Sequence, residues 1–286
     1  MSEKNKVEKA TLYLVATPIG NLADISERAV KVLSEVDFIA AEDTRNSIRL
    51  LSALDIKKEL VSYHEHNKKS SGERLVQRLL MGESCALITD AGMPAISDPG
   101  EDIVKLCADA GITVSVIPGA CAAVSALSVS GLGTRRFAFE GFLSANKSER
   151  KKHLSKLIYE DRTLIFYEAP HKLKATLSDM CDAFGDGRKI SLCRELTKLN
   201  EEIKRTTLGK AVAFYENNEP RGEYVLIVEG FDGEPVNDEL SSLISLSPEE
   251  HVQSYEAQGL SRMDAIKKAA KDRGLSKSEL YKILIN

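Results

Sequence analysis

The chain has 286 residues, 43% of them hydrophobic and 29% charged, which is typical of a soluble globular protein long enough for two domains and a tail. No apolar run approaches the roughly 20 residues that span a membrane, and the charged first residues lack an apolar signal core, so a cytoplasmic protein is expected. The formal net charge of −4 excludes a nucleic-acid signature spread over the whole chain, so any such signature must be local.

The first part of the chain alternates short apolar runs with helical patterns. Strands are predicted at Leu12–Ala16, Asp37–Ala41, Glu59–Tyr63, Cys85–Thr89 and Thr113–Ile117. Helices are predicted at 26–35, through Ile48, Leu51 and Leu54, and at 71–81, 101–111 and 120–127. This alternation predicts an α/β domain with a parallel five-stranded sheet over residues 1–131.

The loop Asp90–Gly100 stands out because it is long for a strand-to-helix connection and contains two glycines and two prolines. It follows a predicted strand, and ligands of open α/β sheets bind at the carboxyl ends of strands. Gly92 and Gly100 permit a backbone that a side chain would block. The stretch is therefore either the wall of a ligand site or an ordinary surface loop.

Three loops are expected to meet at one edge of this sheet: 17–21, 90–100 and 118–120. The loop after the first strand lacks GxGxxG, and no GxxxxGK[ST] sequence occurs, so nicotinamide and nucleoside-triphosphate sites are disfavoured. A small cofactor with little phosphate is favoured. S-adenosylmethionine fits this description, although the loops alone do not single it out.

Residues 132–231 repeat the strand and helix patterns with different spacing. Strands are predicted at Phe137–Phe142, Thr163–Tyr167, Lys189–Cys193, Glu202–Thr207 and Tyr224–Val228, and helices at 149–159, 172–184 and 209–217. A short polar link between 189–195 and 202–207 favours a hairpin. The pattern predicts a second, mixed α/β domain.

Residues 232–286 form a tail of different character. Residues 261–286 contain seven Lys and Arg and three Asp and Glu, which gives a net charge of +4. Capping-box patterns begin at Ser247, Ser261 and Ser276, and Gly259 and Gly274 lie where helices should end. Three short helices resembling a helix-turn-helix module are predicted. The tail is interpreted as RNA-binding; a solvated helical tail or a dimerisation element is the alternative. The RNA contacts predicted are Arg262, Lys267, Lys268, Lys271, Arg273 and Lys277.

Six motifs in order resemble the tetrapyrrole-methylase superfamily, and within it the small-subunit ribosomal RNA (cytidine-2′-O)-methyltransferases. They are Leu12–Leu22, Ala41–Arg45, Thr89–Gly100, Ile117–Ala120, Phe166–His171 and Cys193–Lys198. The resemblance covers about 11–230. It implies a two-domain tetrapyrrole-methylase-like fold, S-adenosylmethionine in the cleft between the domains, and a homodimer. The Thr17–Asn21 loop departs from the Gly-rich loop of porphyrin and corrin enzymes, which disfavours a tetrapyrrole substrate.

The resemblance also implies site residues. The cofactor residues predicted are Pro18, Ile19, Gly92, Met93, Ile96, Gly119, Ala120, Tyr167, Cys193 and Tyr224. Gly119 is expected to let the cofactor approach the backbone. For each of these residues, core or loop packing is the alternative role.

A ribose hydroxyl is a very weak acid, so a general base or a nearby cation is expected. The catalytic candidates are Glu168, Glu195, Arg194, Asp43 and Arg45, with Glu42 also at a strand end. Arg45 and Arg194 suit a phosphate, and Glu168 or Glu195 suits the hydroxyl. Structural ion pairs between neighbouring Glu and Arg are the alternative, and His171 is a weaker candidate.

No metal is predicted, because no cluster of His, Cys and Asp has metal-ligand spacing. His64 and His66 are interpreted as part of a solvated loop. The five cysteines are interpreted as reduced core thiols rather than disulfides or zinc ligands, because their number is odd and CxxC spacing is absent: Cys85, Cys107, Cys121, Cys181 and Cys193.

Together these features predict S-adenosylmethionine-dependent 2′-O-methylation of a cytidine in 16S ribosomal RNA of the small subunit, with neither DNA nor a membrane as partner. One alternative is a methyltransferase of the same fold that acts on a small molecule or a protein side chain. Another is a non-catalytic RNA-binding or ribosome-assembly factor that keeps the cofactor pocket.

Overall fold

The computed structural model describes residues 6–233, 243 and 246–285. Tertiary contacts divide the chain into two compact units, Met1–Phe231 and Asp232–Asn286. Among the helices described, none combines the length and the apolar character needed to cross a bilayer. The five cysteines are free thiols.

The first unit begins with the predicted parallel α/β domain. Its strands are β1 (Thr11–Val15), β2 (Phe38–Ala41), β3 (Glu59–Ser62), β4 (Cys85–Ile88) and β5 (Thr113–Ile117). All pair in parallel, in the order β3-β2-β4-β1-β5. The helices between them are α1 (Glu27–Glu35), α2 (Thr44–Ala53), α3 (Lys68–Leu80) and α4 (Gly100–Asp109). The parallel five-stranded sheet is therefore confirmed.

Both faces of this sheet are covered, which explains why its strands read as continuous apolar runs. One core cluster joins the sheet to α1 and α2 through residues such as Leu33 and Leu51. The other joins it to α3 and α4 through Leu75 and Ile103. The loops after the strands lie at one edge of this sheet, which is where open α/β sheets bind ligands.

A second sheet follows, with strands β6 (Phe137–Phe142), β7 (Thr163–Glu168), β8 (Lys189–Arg194), β9 (Glu202–Thr207) and β10 (Tyr224–Val228). Its order is β6-β7-β10-β8-β9; β6 and β7 are parallel and the other pairs are antiparallel. The mixed sheet and the hairpin of β8 with β9 are both as predicted. The associated helices are α6 (Lys147–Ser155), α7 (Pro170–Phe184) and α8 (Leu208–Glu216).

Helix α5 (Ala122–Ser130) connects the two sheets and packs on the second. The strand period decides which residues it meets. On β10, Val225 and Ile227 belong to the cluster with α5, whereas Tyr224 and Leu226 belong to the cluster with α7 and α8. The helix that ends the first βα series is thus part of the second core. A domain boundary at residue 131 stays a prediction.

Local capping sets the bounds of α6, which was predicted at 149–159 and lies two to four residues earlier. The Asn146 side chain accepts hydrogen bonds from the Ser148 and Glu149 amides, so the helix begins at Lys147. Its last turn is closed by short-range bonds such as Leu157 N–H to the Leu154 carbonyl, which end the regular helix.

The second unit contains α9 (Pro248–Ala257), α10 (Arg262–Asp272) and α11 (Lys277–Ile285), which share one apolar cluster. The capping boxes at Ser247 and Ser276 are confirmed, each with reciprocal bonds to the Glu three residues later. At Ser261 the reciprocal bond is missing. The shorter Asp264 carboxylate accepts from the Ser261 hydroxyl instead of its amide. Gly259 and Gly274 have φ of 92° and 68° and end their helices.

A buried ion pair supports the segment that follows β6. Arg150 on α6 lies 2.6 Å from Asp179 on α7, with side chains 6% and 4% exposed. The same guanidinium donates to the carbonyls of Ser144 and Ala145 at 3.0 and 3.3 Å. A charge buried this deeply is stable only with its partner. The pair therefore links the helices to the loop that begins just after Phe142.

Substitution Asp179→Ala should lower the free energy of unfolding by about 3–5 kcal/mol, because it leaves the Arg150 charge buried without its carboxylate. Urea unfolding measures the change. Asp182→Ala is the matched control: it lies on the same helix and pairs with the half-exposed Lys151, so a loss of at most about 1 kcal/mol is expected. Equal losses in the two variants would contradict a special role for the buried pair.

Candidate active site

Three loops of the first sheet meet at its carboxyl edge, as predicted. Strand β1 lies between β4 and β5, so the loops after these strands emerge side by side. Thr17 and Gly92 exchange two backbone hydrogen bonds, of 2.9 and 3.0 Å. A Cβ at Gly92 would lie 3.2 Å from Ile19 Cγ2, which is a tight contact, and Gly92 has φ of 86°. The close approach and the left-handed backbone together explain why this position is glycine.

The second sheet contributes two segments to the same place. A Cβ at Gly20 would lie 2.9 Å from Thr197 Oγ1, and one at Gly141 would lie 3.2 Å from Ser97 Oγ. The 195–201 loop after β8 and the end of β6 therefore press against the loops of the first sheet. Glycine at these points lets the segments approach without a side chain between them.

The segments enclose a cavity of about 370 Å³ between the two sheets. This volume lies in the range of sites for drug-sized ligands and cofactors. Seven of the ten predicted cofactor residues line it: Ile19, Gly92, Met93, Ile96, Tyr167, Cys193 and Tyr224. The other three, Pro18, Gly119 and Ala120, belong to the converging loops but not to the lining.

Gly119 has a packing role, which was the alternative to cofactor contact. A Cβ at Gly119 would lie 2.9 Å from Ala16 Cβ, so the missing side chain makes room for the residue that follows β1. Its approach to the cofactor stays a prediction. Tyr224 lines the cavity and also packs in the core: its ring lies with Tyr215, and its hydroxyl accepts from the Tyr215 hydroxyl at 3.3 Å. The adjacent Val225 also lines the cavity, and it lies on the face of β10 that packs against α5.

The backbone around the cavity is strained. Ala95 and Ser97 in the loop before α4 have φ of 66° and 64°, and Glu195 and Thr197 after β8 have φ of 51° and 67°. Such values are unfavourable for residues with a side chain and cluster at functional sites. Asp98 holds the first of these loops by accepting from the amides of Ala95, Ile96 and Gly100 at 2.7–3.3 Å.

Tyr167 and Cys193 line the cavity and do not act as proton carriers near neutral pH. Burial raises the pKa of Tyr167 to about 12, and its hydroxyl accepts from the Ala123 amide at 3.2 Å. Burial also raises the pKa of the Cys193 thiol. Both groups therefore stay protonated near neutral pH.

Two of the cavity carboxylates are already engaged with cations. Glu168 is 2% exposed, accepts from the Thr176 hydroxyl at 2.5 Å and pairs with Lys172 at 3.2 Å. Glu195 accepts from the Glu223 amide and from Lys198, each at 2.9 Å. The Glu223 amide, followed by Lys198, holds the pKa of Glu195 below its usual value. Glu195 is thus a stable carboxylate near neutral pH and a weak base.

Two others have no cationic partner among the described residues. Glu42 accepts from the Thr89 hydroxyl at 2.8 Å, and Asp90 accepts from the Asn46 amide group at 3.1 Å. Both line the cavity at the ends of the neighbouring strands β2 and β4. On the first-sheet side of the cavity, the carboxylates of Glu42 and Asp90 therefore lack a compensating cation among the described residues.

Three catalytic candidates lie outside the cavity lining. Asp43 caps α2 and bonds Arg45, whose side chain is 87% exposed, and these bonds lower the pKa of Asp43. Arg194 lies 3.2 Å from Glu202 across the hairpin. These are the ion pairs that were the alternative interpretation. They arise because Asp43 caps α2 beside Arg45, and because Arg194 lies opposite Glu202 in the register of the hairpin.

The predicted RNA contacts of the second unit have unequal surroundings. Arg262 pairs with Glu249 and Glu256, and Arg273 donates to His251 Nδ1 at 3.1 Å. Lys268 lies 4.3 Å from the centre of the Tyr255 ring. The remaining three are exposed and have no ion pair in the described part of the chain: Lys267, Lys271 and Lys277.

Sequence reasoning missed several residues of the cavity, among them Phe142, Asp98 and Lys198. Asp98 and Lys198 belong to the motifs Thr89–Gly100 and Cys193–Lys198. Their residue types alone indicated only polar residues of a loop. Phe142 was assigned to a strand, and no sequence signal separates an exposed strand aromatic from a core one.

Comparison with known proteins agrees with this architecture. The family model Tetrapyrrole (Corrin/Porphyrin) Methylases matches residues 11–212. The chain is 51% identical to ribosomal RNA small subunit methyltransferase I of Halalkalibacterium halodurans, covering 99% of this chain and 97% of that protein. The protein of that name from Bacillus subtilis is 47% identical, with 98% and 96% covered. The chain belongs to the tetrapyrrole methylase family and to its ribosomal RNA small subunit methyltransferase I group.

Solved structures show the same fold at low sequence identity. Uroporphyrin-III-C-methyltransferase from Thermus thermophilus has a TM-score of 0.56 and 21% identity, covering 77% of this chain and 94% of that chain. Diphthine synthase has a TM-score of 0.59 and 15% identity, covering 77% and 90%. The predicted tetrapyrrole-methylase-like fold and the prediction of a methyltransferase are confirmed. Membership of the family implies a methyl donor of the S-adenosylmethionine type.

Replacing Gly119 by Ala should lower the melting temperature, because the new methyl group would lie 2.9 Å from Ala16 Cβ and disturb the pairing of β1 with β5. An overpacked contact costs about 1–3 kcal/mol. Thermal melting measures the effect. Gly187→Ala is the control, since a Cβ there meets nothing within 4 Å. Equal melting temperatures for the two variants would show that the loop yields at Gly119 without cost.

Proposed function

We propose that this chain transfers a methyl group from S-adenosylmethionine to the ribose 2′-hydroxyl of a cytidine in 16S ribosomal RNA of the small subunit. The observation that carries the proposal is the cavity between the two sheets, in a chain that matches ribosomal RNA small subunit methyltransferase I over nearly its whole length. A homodimer and a cytoplasmic location belong to the same proposal.

The cavity residues suit such a donor. Ile19, Met93 and Ile96 offer apolar surface, and Gly92 exposes backbone without a side chain. The donor carries a sulfonium cation, and it supplies a methyl group that is already electrophilic. The uncompensated charges of Glu42 and Asp90 attract a cation across the cavity. Cys193 and Tyr167 close the opposite wall with apolar surface.

The main task of the protein is then to align the acceptor hydroxyl. Correct placement of two reactants can contribute about 7–11 kcal/mol to lowering a barrier. Glu42 and Asp90 keep lone pairs that can accept the hydroxyl proton, because each holds a single neutral donor among the described residues. Glu195 and Lys198 are fixed to each other and orient the acceptor by hydrogen bonds.

The RNA is proposed to contact the second unit through its exposed lysines. Lys267 and Lys271 lie on α10, and Lys277 begins α11. These three have no ion pair with any residue that the structure describes, whereas Arg262 is engaged with two glutamates. Exposed lysines on short helices are a common way to bind a phosphate backbone without reading its sequence.

The central test incubates the protein with labelled S-adenosylmethionine and either purified small ribosomal subunits or naked 16S RNA. Label is expected in RNA, on a ribose, at a single cytidine that mass spectrometry of nuclease fragments can identify. A Glu42→Gln, Asp90→Asn double variant should transfer far more slowly, because it removes the charges that attract the donor. Label in a protein or a small molecule, but not in RNA, would point to another substrate. Absence of any transfer would favour a binding factor.

Charge reversal at Lys267 and Lys271 should weaken RNA binding and flatten its salt dependence. For each phosphate that is no longer neutralised by a lysine, the slope of log K against log salt should fall by about 0.7 for single-stranded RNA. Fluorescence anisotropy at several salt concentrations measures this slope.

The control for this charge reversal is Lys57→Glu with Lys210→Glu, which changes the net charge equally at two exposed residues without an ion pair in the described part of the chain. An identical slope in both double variants would remove the second unit from the RNA interface.

A further inference from the structure

Phe142, the last residue of β6, leaves an aromatic surface open at the mouth of the cavity. It lines the cavity and is 55% exposed, whereas Cys193 on another wall is 1% exposed. A single exposed apolar side chain on a surface needs no explanation. A half-exposed ring on the wall of a functional cavity is different, because such walls bind ligands.

A β-bulge turns Phe142 towards the cavity. The pairing of β6 with β7 shifts register between Phe139 and Gly141, and Gly141 has φ of 64°. Residues three apart in a regular strand point to opposite faces. Phe139 and Phe142 nevertheless both contact Tyr167 edge-on, with ring centroids 5.0 and 5.5 Å apart. The extra residue of the bulge thus places both rings on one side.

The Phe142 ring is fixed by its neighbours. Tyr167, which it contacts, is anchored by a hydrogen bond from the Ala123 amide. The Lys172 ammonium lies 5.5 Å from the centre of the Phe142 ring and also pairs with Glu168. A ring that already packs against neighbours loses less side-chain entropy when it binds a flat partner.

We infer that the base of the target nucleotide stacks on Phe142 while its ribose enters the cavity. This inference rests on the proposed function. A ribose hydroxyl reaches a donor inside an enclosed cavity only when its nucleotide leaves the stack of neighbouring bases. Proteins commonly hold such splayed-out bases on aromatic rings, which accept every base because each has a π face. Phe142 offers such a ring at the entrance of the cavity.

The competing occupant of Phe142 is the adenine of the donor. The exposure of the ring favours the RNA base: a donor buried between the sheets is expected against enclosed walls, and Phe142 lies where the cavity meets solvent. The two occupants differ in what a substitution changes. If Phe142 stacks with the RNA base, its removal lowers kcat/KM for RNA. If Phe142 stacks with the adenine, its removal weakens the binding of S-adenosylmethionine.

The test compares Phe142→Ala with the wild type in methylation of small-subunit RNA. Its kcat/KM for RNA should fall about 5- to 100-fold, the range for loss of one stacked base, with the Kd for S-adenosylmethionine unchanged. Phe142→Trp should restore most of the activity, and Phe142→Leu should not. Phe137→Ala is the matched control on the same strand, because Phe137 is 42% exposed and lies outside the cavity lining.

A second readout is independent of methyl transfer. RNA carrying a fluorescent cytidine analogue at the modified position should lose emission on binding to the wild type and to Phe142→Trp, but not to Phe142→Ala. The inference would be overturned if Phe142→Ala methylated RNA as well as the wild type, or if its Kd for S-adenosylmethionine were higher. Either result would leave the proposed function standing. A wild-type protein that methylates no RNA would overturn the proposed function itself.

Discussion

The backbone pairing of Thr17 with Gly92 is the constraint on which the site depends. Two hydrogen bonds hold the loops after β1 and β4 together, and Gly92 has a left-handed φ of 86° at this point, which favours glycine. Around this pairing, Gly20 of the first sheet packs against the 195–201 loop of the second, and Gly141 of the second sheet packs against Ser97 of the first. The strained non-glycine residues lie in the two loops that make these contacts, so the strain is a cost of closing the cavity.

The charges of the cavity are distributed unequally between its two walls. On the second sheet, Glu168 and Glu195 are balanced by lysines and held by hydrogen bonds. On the first sheet, Glu42 and Asp90 have no cationic partner, because only neutral groups contact them among the described residues. The wall with uncompensated charge favours a cation, and the balanced wall leaves room for a polar acceptor. A division of this kind allows one cavity to bind two reactants of different chemistry.

Hydrophobic period and turn residues were enough to predict both sheets, the hairpin and the helices of the second unit, because each is determined locally. The convergence of the loops followed from the rule for parallel sheets. The residues that line the cavity were predicted less completely than the fold. The close contact of Gly119 with Ala16 was not predicted, since the partner across a close contact depends on the tertiary structure. Phe142 escaped notice because one inserted residue reverses the alternation by which strand faces are assigned.

The bulge in β6 also bears on whether a strand from another copy can extend the second sheet. Strand β6 lies at the border of the second sheet, where an open row of amides and carbonyls could recruit a strand from another copy. An irregular, bent border is a poor template for such recruitment. The distortion that leaves an aromatic ring exposed beside the cavity therefore also discourages the growth of the sheet into an aggregate.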